Sequence, residues 1–253
     1  MKNLLLTILC CFGLMSSMQA QKMDFWLDAG LKIQTGFTAL YNSSATTANS
    51  LTNDQWDFAL ATGTKYGVKL GMNFNYTGVS LDIMTGKLRG KYQFVDLAGG
   101  TLDREDEIEV SVTDIYLLFR NAKHKGYFEI GPKYSIINDV RGSDPVTGET
   151  TVLDDFYETG NLAAVLGFGT YILGPEDGRF SGILGFRLEY GFQDIVNDTG
   201  RVSDDFGTRQ PVNYGGEAGT TNPIFAGIVF ELNWGIGGVG QARCGERSKF
   251  IWF

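Results

Sequence analysis

The chain holds a single histidine, His124, set between Lys123 and Lys125. To act as a catalytic base it would need a nucleophile within hydrogen-bond reach and a third group to orient the ring. Its surroundings form a short polar turn and offer neither. No Cys/His cluster has zinc-ligand spacing. The glycine pairs Gly99-Gly100 and Gly215-Gly216 and the run 235–240 lack the strand–helix context of a phosphate loop. No catalytic, cofactor or metal site is expected. Of the three cysteines, Cys10 and Cys11 fall in an apolar leader, so Cys244 is the only one in the mature chain and no internal disulfide can form.

The charged residues with informative spacing are of another kind. Lys32, Lys65, Lys69, Arg120, Lys133 and Arg187, with Asp28, Asp82, Asp114, Glu129, Glu189 and Glu231, all lie inside candidate strands. Tyr66 to Tyr76 puts Tyr66, Val68, Leu70, Met72, Phe74 and Tyr76 in one phase and only Gly, Lys and Asn in the other. That is a β-strand with one apolar and one polar face. Its length suits a tilted membrane crossing of about 9–11 residues.

Eight such strands are expected, at Asp24–Tyr41, Asp57–Tyr76, Gly78–Phe94, Glu107–Asn121, Gly126–Ile137, Phe156–Leu173, Arg179–Gln193 and Asn222–Gly235. In the fourth, Ile108, Val110 and Val112 are out of phase with Ile115, Leu117 and Phe119. Either a bulge near Thr113–Asp114 reconciles them, or the upstream part stands above the membrane. Connections alternate between tight (at Thr77, at 122–125 and at 174–178) and long and polar, as in outer-membrane barrels.

Alternation does not by itself say which face points outward, since a secreted ligand-binding barrel has the same period. Three features favour apolar outward. The polar faces are rich in glycine, aromatics recur near strand ends (Tyr41, Tyr76, Tyr134, Tyr190, Phe192, Trp234), and the loop lengths alternate. The expected fold is all-β: an eight-stranded antiparallel up-and-down transmembrane β-barrel. Its twelve inward charges, six of each sign, would pair into a filled lumen, because an unpaired buried charge is costly.

Residues 1–20 read as a signal peptide, with Lys2, an apolar stretch from Leu4 to Met15 and a cleavage region ending at Ala20. The barrel is expected over 21–235 and a periplasmic tail over 236–253. Residues 235–240, at the junction of the two, read as flexible. The tail is mildly basic and ends in Phe250-Ile251-Trp252-Phe253. Cys244, Phe250, Trp252 and Phe253 are its candidate docking residues. A terminal Phe after an alternating aromatic also suits recognition by the barrel-assembly machinery. The segments 96–107, 138–155 and 193–221, read as outer loops, hold five acids each. They read as a solvated loop surface beside lipopolysaccharide, with bridging of divalent cations as the alternative, although none of the runs has an EF-hand pattern. The net charge of -8 disfavours nucleic acid.

The run Thr113-Asp114-Ile115-Tyr116-Leu117-Leu118-Phe119-Arg120, followed by Gly126-Tyr127-Phe128-Glu129-Ile130-Gly131-Pro132-Lys133-Tyr134, resembles the small PorT-like outer-membrane barrels of Bacteroidetes, with the OmpA/OmpX kind of architecture. Tyr116 stands where the first proline of that pattern would be. The resemblance implies a cell outer-membrane location in a Gram-negative envelope. It also implies a non-catalytic role as a subunit of a secretion, gliding or assembly complex, with a protein partner in the outer membrane or periplasm. A narrow transport pore and a soluble secreted ligand-binding barrel are the alternatives.

Overall fold

The computed structural model describes residues 23–42, 48–49, 54–96, 101–123, 125–144, 148–174, 179–203, 219–240 and 249–252. The expected signal peptide, His124, Cys244 and Phe253 lie outside them.

Twelve strands form one antiparallel sheet: β1 (Met23–Asn42), β2 (Ala48–Asn49), β3 (Asp54–Ala59), β4 (Ala61–Phe74), β5 (Thr77–Asp96), β6 (Thr101–Lys123), β7 (Gly126–Ser143), β8 (Thr150–Val152), β9 (Gly160–Leu173), β10 (Phe180–Gly191), β11 (Thr221–Gly240) and β12 (Lys249–Trp252). Eight of these close a ring in the order β1, β4, β5, β6, β7, β9, β10, β11 and back to β1. Closure leaves the wall no free strand edge, which a bilayer requires because hydrocarbon cannot hydrogen-bond an open backbone. β3 continues β4 upward after an irregularity at Leu60, while β2 and β8 are short additions at the long-loop end. That end also carries a single 3-10 turn (Asp154–Phe156) and α1 (Asp198–Val202), which Asn197 caps by accepting from the Gly200 amide at 2.9 Å.

The apolar phase faces outward. Leu31, Val68, Leu70, Leu81, Leu117, Ile130, Phe168 and Ile228 all stand exposed on the wall, Leu31 by 65 %. Such a belt of large apolar side chains is untenable in water and fits lipid. It excludes the soluble ligand-binding barrel, whose apolar face would line the interior.

The fourth strand keeps one phase throughout, and its partner β5 runs beside Val112–Ile115 without a register shift. No bulge occurs at Thr113–Asp114. The register shift falls higher, between Ser111 and Val112 against β7, where Asn138 is the extra residue. What changes along β6 is the medium outside. Below, Ile115, Leu117 and Phe119 face outward while Asp114, Tyr116 and Arg120 are buried. Above, Glu105, Glu107 and Glu109 face outward while Ile108, Val110 and Val112 are buried. Polarity thus inverts where the barrel leaves the belt.

Extended strands also replace part of the expected acidic loop at 96–107, since β6 begins at Thr101. There the outward acids form a cross-strand ladder with β5: Lys87–Glu109 at 2.5 Å, Arg89–Glu109 at 2.7 Å and Lys91–Glu105 at 3.1 Å. Hydrogen bonds from Lys91 and Gln93 hold the Glu105 carboxyl below its usual range. The sixth expected strand starts at Gly160 rather than Phe156, which belongs to the 3-10 turn.

The last barrel strand runs to Gly240, so 236–240 belong to the wall and not to a flexible tail. The glycines there serve close packing: a Cβ at Gly238 would lie 2.3 Å from the Phe25 carbonyl oxygen and 2.9 Å from the Trp26 Cβ. β12 then folds back and pairs with Gly237–Gly240. Close packing also explains the lumen-side glycines. A Cβ at Gly67 would sit 2.0 Å from the Ile83 carbonyl oxygen, a backbone atom that cannot move aside alone. Gly67→Ala is expected to destabilise the barrel by about 1–3 kcal/mol, measured as a lower midpoint of urea unfolding in detergent or lipid.

Candidate functional site

The twelve charged residues of the polar phase converge in the lumen, and none is more than 8 % exposed. Each sits on an inward position of a ring strand, so strand pairing alone brings distant residues together.

A lower group centres on Glu231 of β11. Its carboxylate accepts from Lys69 at 2.7 Å and takes two bonds of 2.9 Å from Arg120. Lys32 stands 3.0 Å away. Lys32 also donates to Asp82 at 2.5 Å, and Lys69 reaches Asp28 at 3.2 Å. Arg120 and Arg187 share Glu129, at 2.7 and 2.5 Å. The upper group centres on Glu189, with Lys133 at 2.8 Å and Lys65 at 3.2 Å. Lys65 also pairs with Asp114, and Lys133 lies 3.6 Å from the same carboxylate.

Two residues that charge spacing did not single out complete the network. Gln34 joins the groups: its amide donates to Glu189 at 2.8 Å and its carbonyl oxygen accepts from Arg187 at 3.1 Å. The Tyr116 hydroxyl lies 3.0 Å from both Asp114 and Glu189, and its ring lies 4.9 Å beneath the Arg187 guanidinium. Both residues were reachable from phase, since Gln34 follows Lys32, and Tyr116 follows Asp114, on the inward face. With six charges of each sign in mutual contact, the network is neutral and densely bonded. A buried charge is tolerated only on those terms.

Apolar clusters close the network at both ends. Toward the long loops, Leu40, Leu88, Tyr92, Ile108, Val110, Val112 and Val140 pack against Leu153, Tyr157, Ile195 and Val196. The last four come from the loop segments. These are tied together by a bridge between Tyr157 and Val196 and by Asn197, whose amide donates to the carbonyls of Asp155 and Tyr157. Asp194 adds an acceptor for the amides of Val196 and Thr221, both at 3.0 Å. Toward the tight turns, Ala122, Tyr127 and Ile183 pack with Tyr171, and the Arg120 guanidinium lies 4.5 Å over the Tyr127 ring. Among the described residues, charges in the middle and apolar packing at each mouth fill the lumen. No group of acids, cysteines or histidines suited to a metal occurs among the described residues.

Of the candidate tail residues, Trp252 lies on β12 and is 74 % exposed, while Phe250 takes part in the same strand through its backbone.

No protein-family model and no curated protein matches the chain. Among solved structures it is similar to neisserial surface protein A (12 % identity, TM-score 0.35, 85 % of this chain and 99 % of that one). It is also similar to the outer membrane protein OprG from Pseudomonas aeruginosa (11 %, TM-score 0.32, 85 % and 96 %). A further likeness is to the translocator domain of the autotransporter NalP from Neisseria meningitidis (9 %, TM-score 0.26, 92 % and 95 %). The closed ring, the outward apolar belt and the buried charges define the class on their own: an eight-stranded transmembrane β-barrel with a filled lumen.

Proposed function

We propose that the protein is a non-catalytic barrel of a Gram-negative outer membrane, exported by its leader. In this reading it serves as a structural or accessory subunit of an outer-membrane complex for secretion, gliding or assembly. The observation that carries the reading is the filled lumen. A barrel whose described residues fill the lumen has its outer wall, its loop cap and its periplasmic end left for work. The wall meets lipid, the acidic cap meets lipopolysaccharide, and the tail reaches a protein partner on the periplasmic side.

Deleting residues 241–253 is the test. The expected result is a barrel that still resists heat as a compact band in seminative gels, together with loss of the proteins that co-purify with it from native outer membrane. Loss of the folded barrel on the same deletion would instead assign the terminus to the barrel-assembly machinery.

A further inference from the structure

The apolar belt is not equally tall around the ring. Followed from strand to strand through its pairs, the ring starts at Leu27 on β1 and returns to β1 at Phe37. That stagger tilts the strands by about 40° from the barrel axis, so each residue climbs about 2.5 Å. β5 offers the belt only Val79, Leu81 and Ile83, and β6 only Ile115, Leu117 and Phe119. Each of these rows is about 10 Å tall. β11 stands opposite β6 in the ring and carries outward apolar residues from Ile224 to Ile236. That row is about 30 Å tall, against about 25 Å for the usual apolar band of such a barrel. The β5–β6 face turns polar at both ends: Thr85 and Lys87 above Ile83, Thr113 and Ser111 above Ile115, Asn121 and Lys123 below Phe119. Exposed Tyr66, paired with Thr85, closes the apolar row of β4 at the same level, as tyrosines do at a membrane interface.

The short and tall rows share one centre. Asp82, next to Leu81, meets Arg187 across the lumen at 3.5 Å, and Arg187 lies between Phe186 and Leu188 near the middle of the outward row of β10. Tilting the whole barrel lowers one rim and raises the other but changes neither height, so it does not relieve the mismatch. A belt shorter than the hydrocarbon is met by thinning the bilayer, by snorkelling of flanking residues or by oligomerising. Threonine, serine and asparagine lack the length to snorkel. A face with such short apolar rows, its Lys87 and Arg89 already paired with Glu109, offers a second copy little to bury.

We propose that the β5–β6 face holds a locally thinned bilayer, in which headgroups and water reach Thr85 and Thr113 from above and Asn121 from below. The partner of this face is the lipid surface itself. The inference needs only the ring and its outward residues, so it goes beyond the accessory-subunit reading and stands without it.

Nitroxide depth measurements in lipid vesicles test it, on the full chain carrying Cys10→Ser, Cys11→Ser and Cys244→Ser. Thr85 and Tyr190 both stand three residues above the Asp82–Arg187 contact, on opposite walls and at matching height. Thr85→Cys, Tyr190→Cys and Asn121→Cys are labelled one at a time. The label at 190 is expected to collide mainly with dissolved oxygen, and the labels at 85 and 121 mainly with an aqueous nickel chelate. The label at 85 is expected about 5 Å shallower than the label at 190, the thinning that the short rows demand. Equal depths at 85 and 190 would overturn the proposal. So would a shallow 85 with a deep 121, which describes a tilted barrel in a uniform bilayer. Low collision with both reagents at 85 would overturn it too, since a second copy would then cover the face.

Discussion

Glu231→Gln is expected to destabilise the barrel by about 3–5 kcal/mol, the cost of breaking a buried charge network from one side. Glu231 is the acceptor shared by Lys32, Lys69 and Arg120, and all three are buried with it. An amide keeps the volume and one acceptor oxygen but removes the charge. Three cations are then left around Asp28, Asp82 and Glu129, each of which already serves another partner, Asn73 or Arg187. Urea unfolding in detergent micelles, followed by tryptophan fluorescence, reads the shift. Adding Lys69→Met to the same chain is expected to recover part of the loss, because the pair then leaves together and less uncompensated charge remains. If the single substitution costs no more than a surface change, the twelve charges are solvated and the lumen is wet.

The second large effect lies on the outside. Leu70 is 58 % exposed at the middle of the outward face of β4. In a water-soluble protein, arginine at so exposed a position would change stability by about 0.5 kcal/mol or less. At the midplane of a bilayer it costs about 2–4 kcal/mol. Leu70→Arg therefore separates the two media directly. The expected result is a marked loss of stability in liposomes. Arginine in place of Thr85, near the upper edge of the belt, is expected to cost far less, because the next outward residues on β5 are Lys87 and Arg89. A cost that is small and equal at both sites would contradict the membrane belt.

Much of this architecture was legible in the residues. Alternation in Tyr66–Tyr76 and its companions identified eight strands, and the inward phase gathered the twelve lumen charges, because a period of two admits no ambiguity about which residues share a face. Three things were not legible. The glycines from Gly235 to Gly240 read as flexible, yet they extend β11, since glycine also marks close approach of two strands, as at Gly238 beside Trp26. The phase conflict in β6 left two readings open, a bulge or an upstream part above the membrane, and the second is what the structure shows. A strand crossing from lipid to water keeps its geometry and inverts its pattern, and sequence alone does not mark where the medium changes. Gln34 and Tyr116 were not placed in the network because a search for charge passes over neutral groups, although both link its two halves, Tyr116 through its ring under Arg187.

Conductance across a planar lipid bilayer tests the filled lumen most directly. The purified barrel, inserted at neutral pH in ordinary salt, is expected to give no steady current above the bare membrane. Among the described residues, the apolar clusters at both mouths and the paired charges between them leave no continuous path for ions. A stable open channel of reproducible unit conductance would contradict that account.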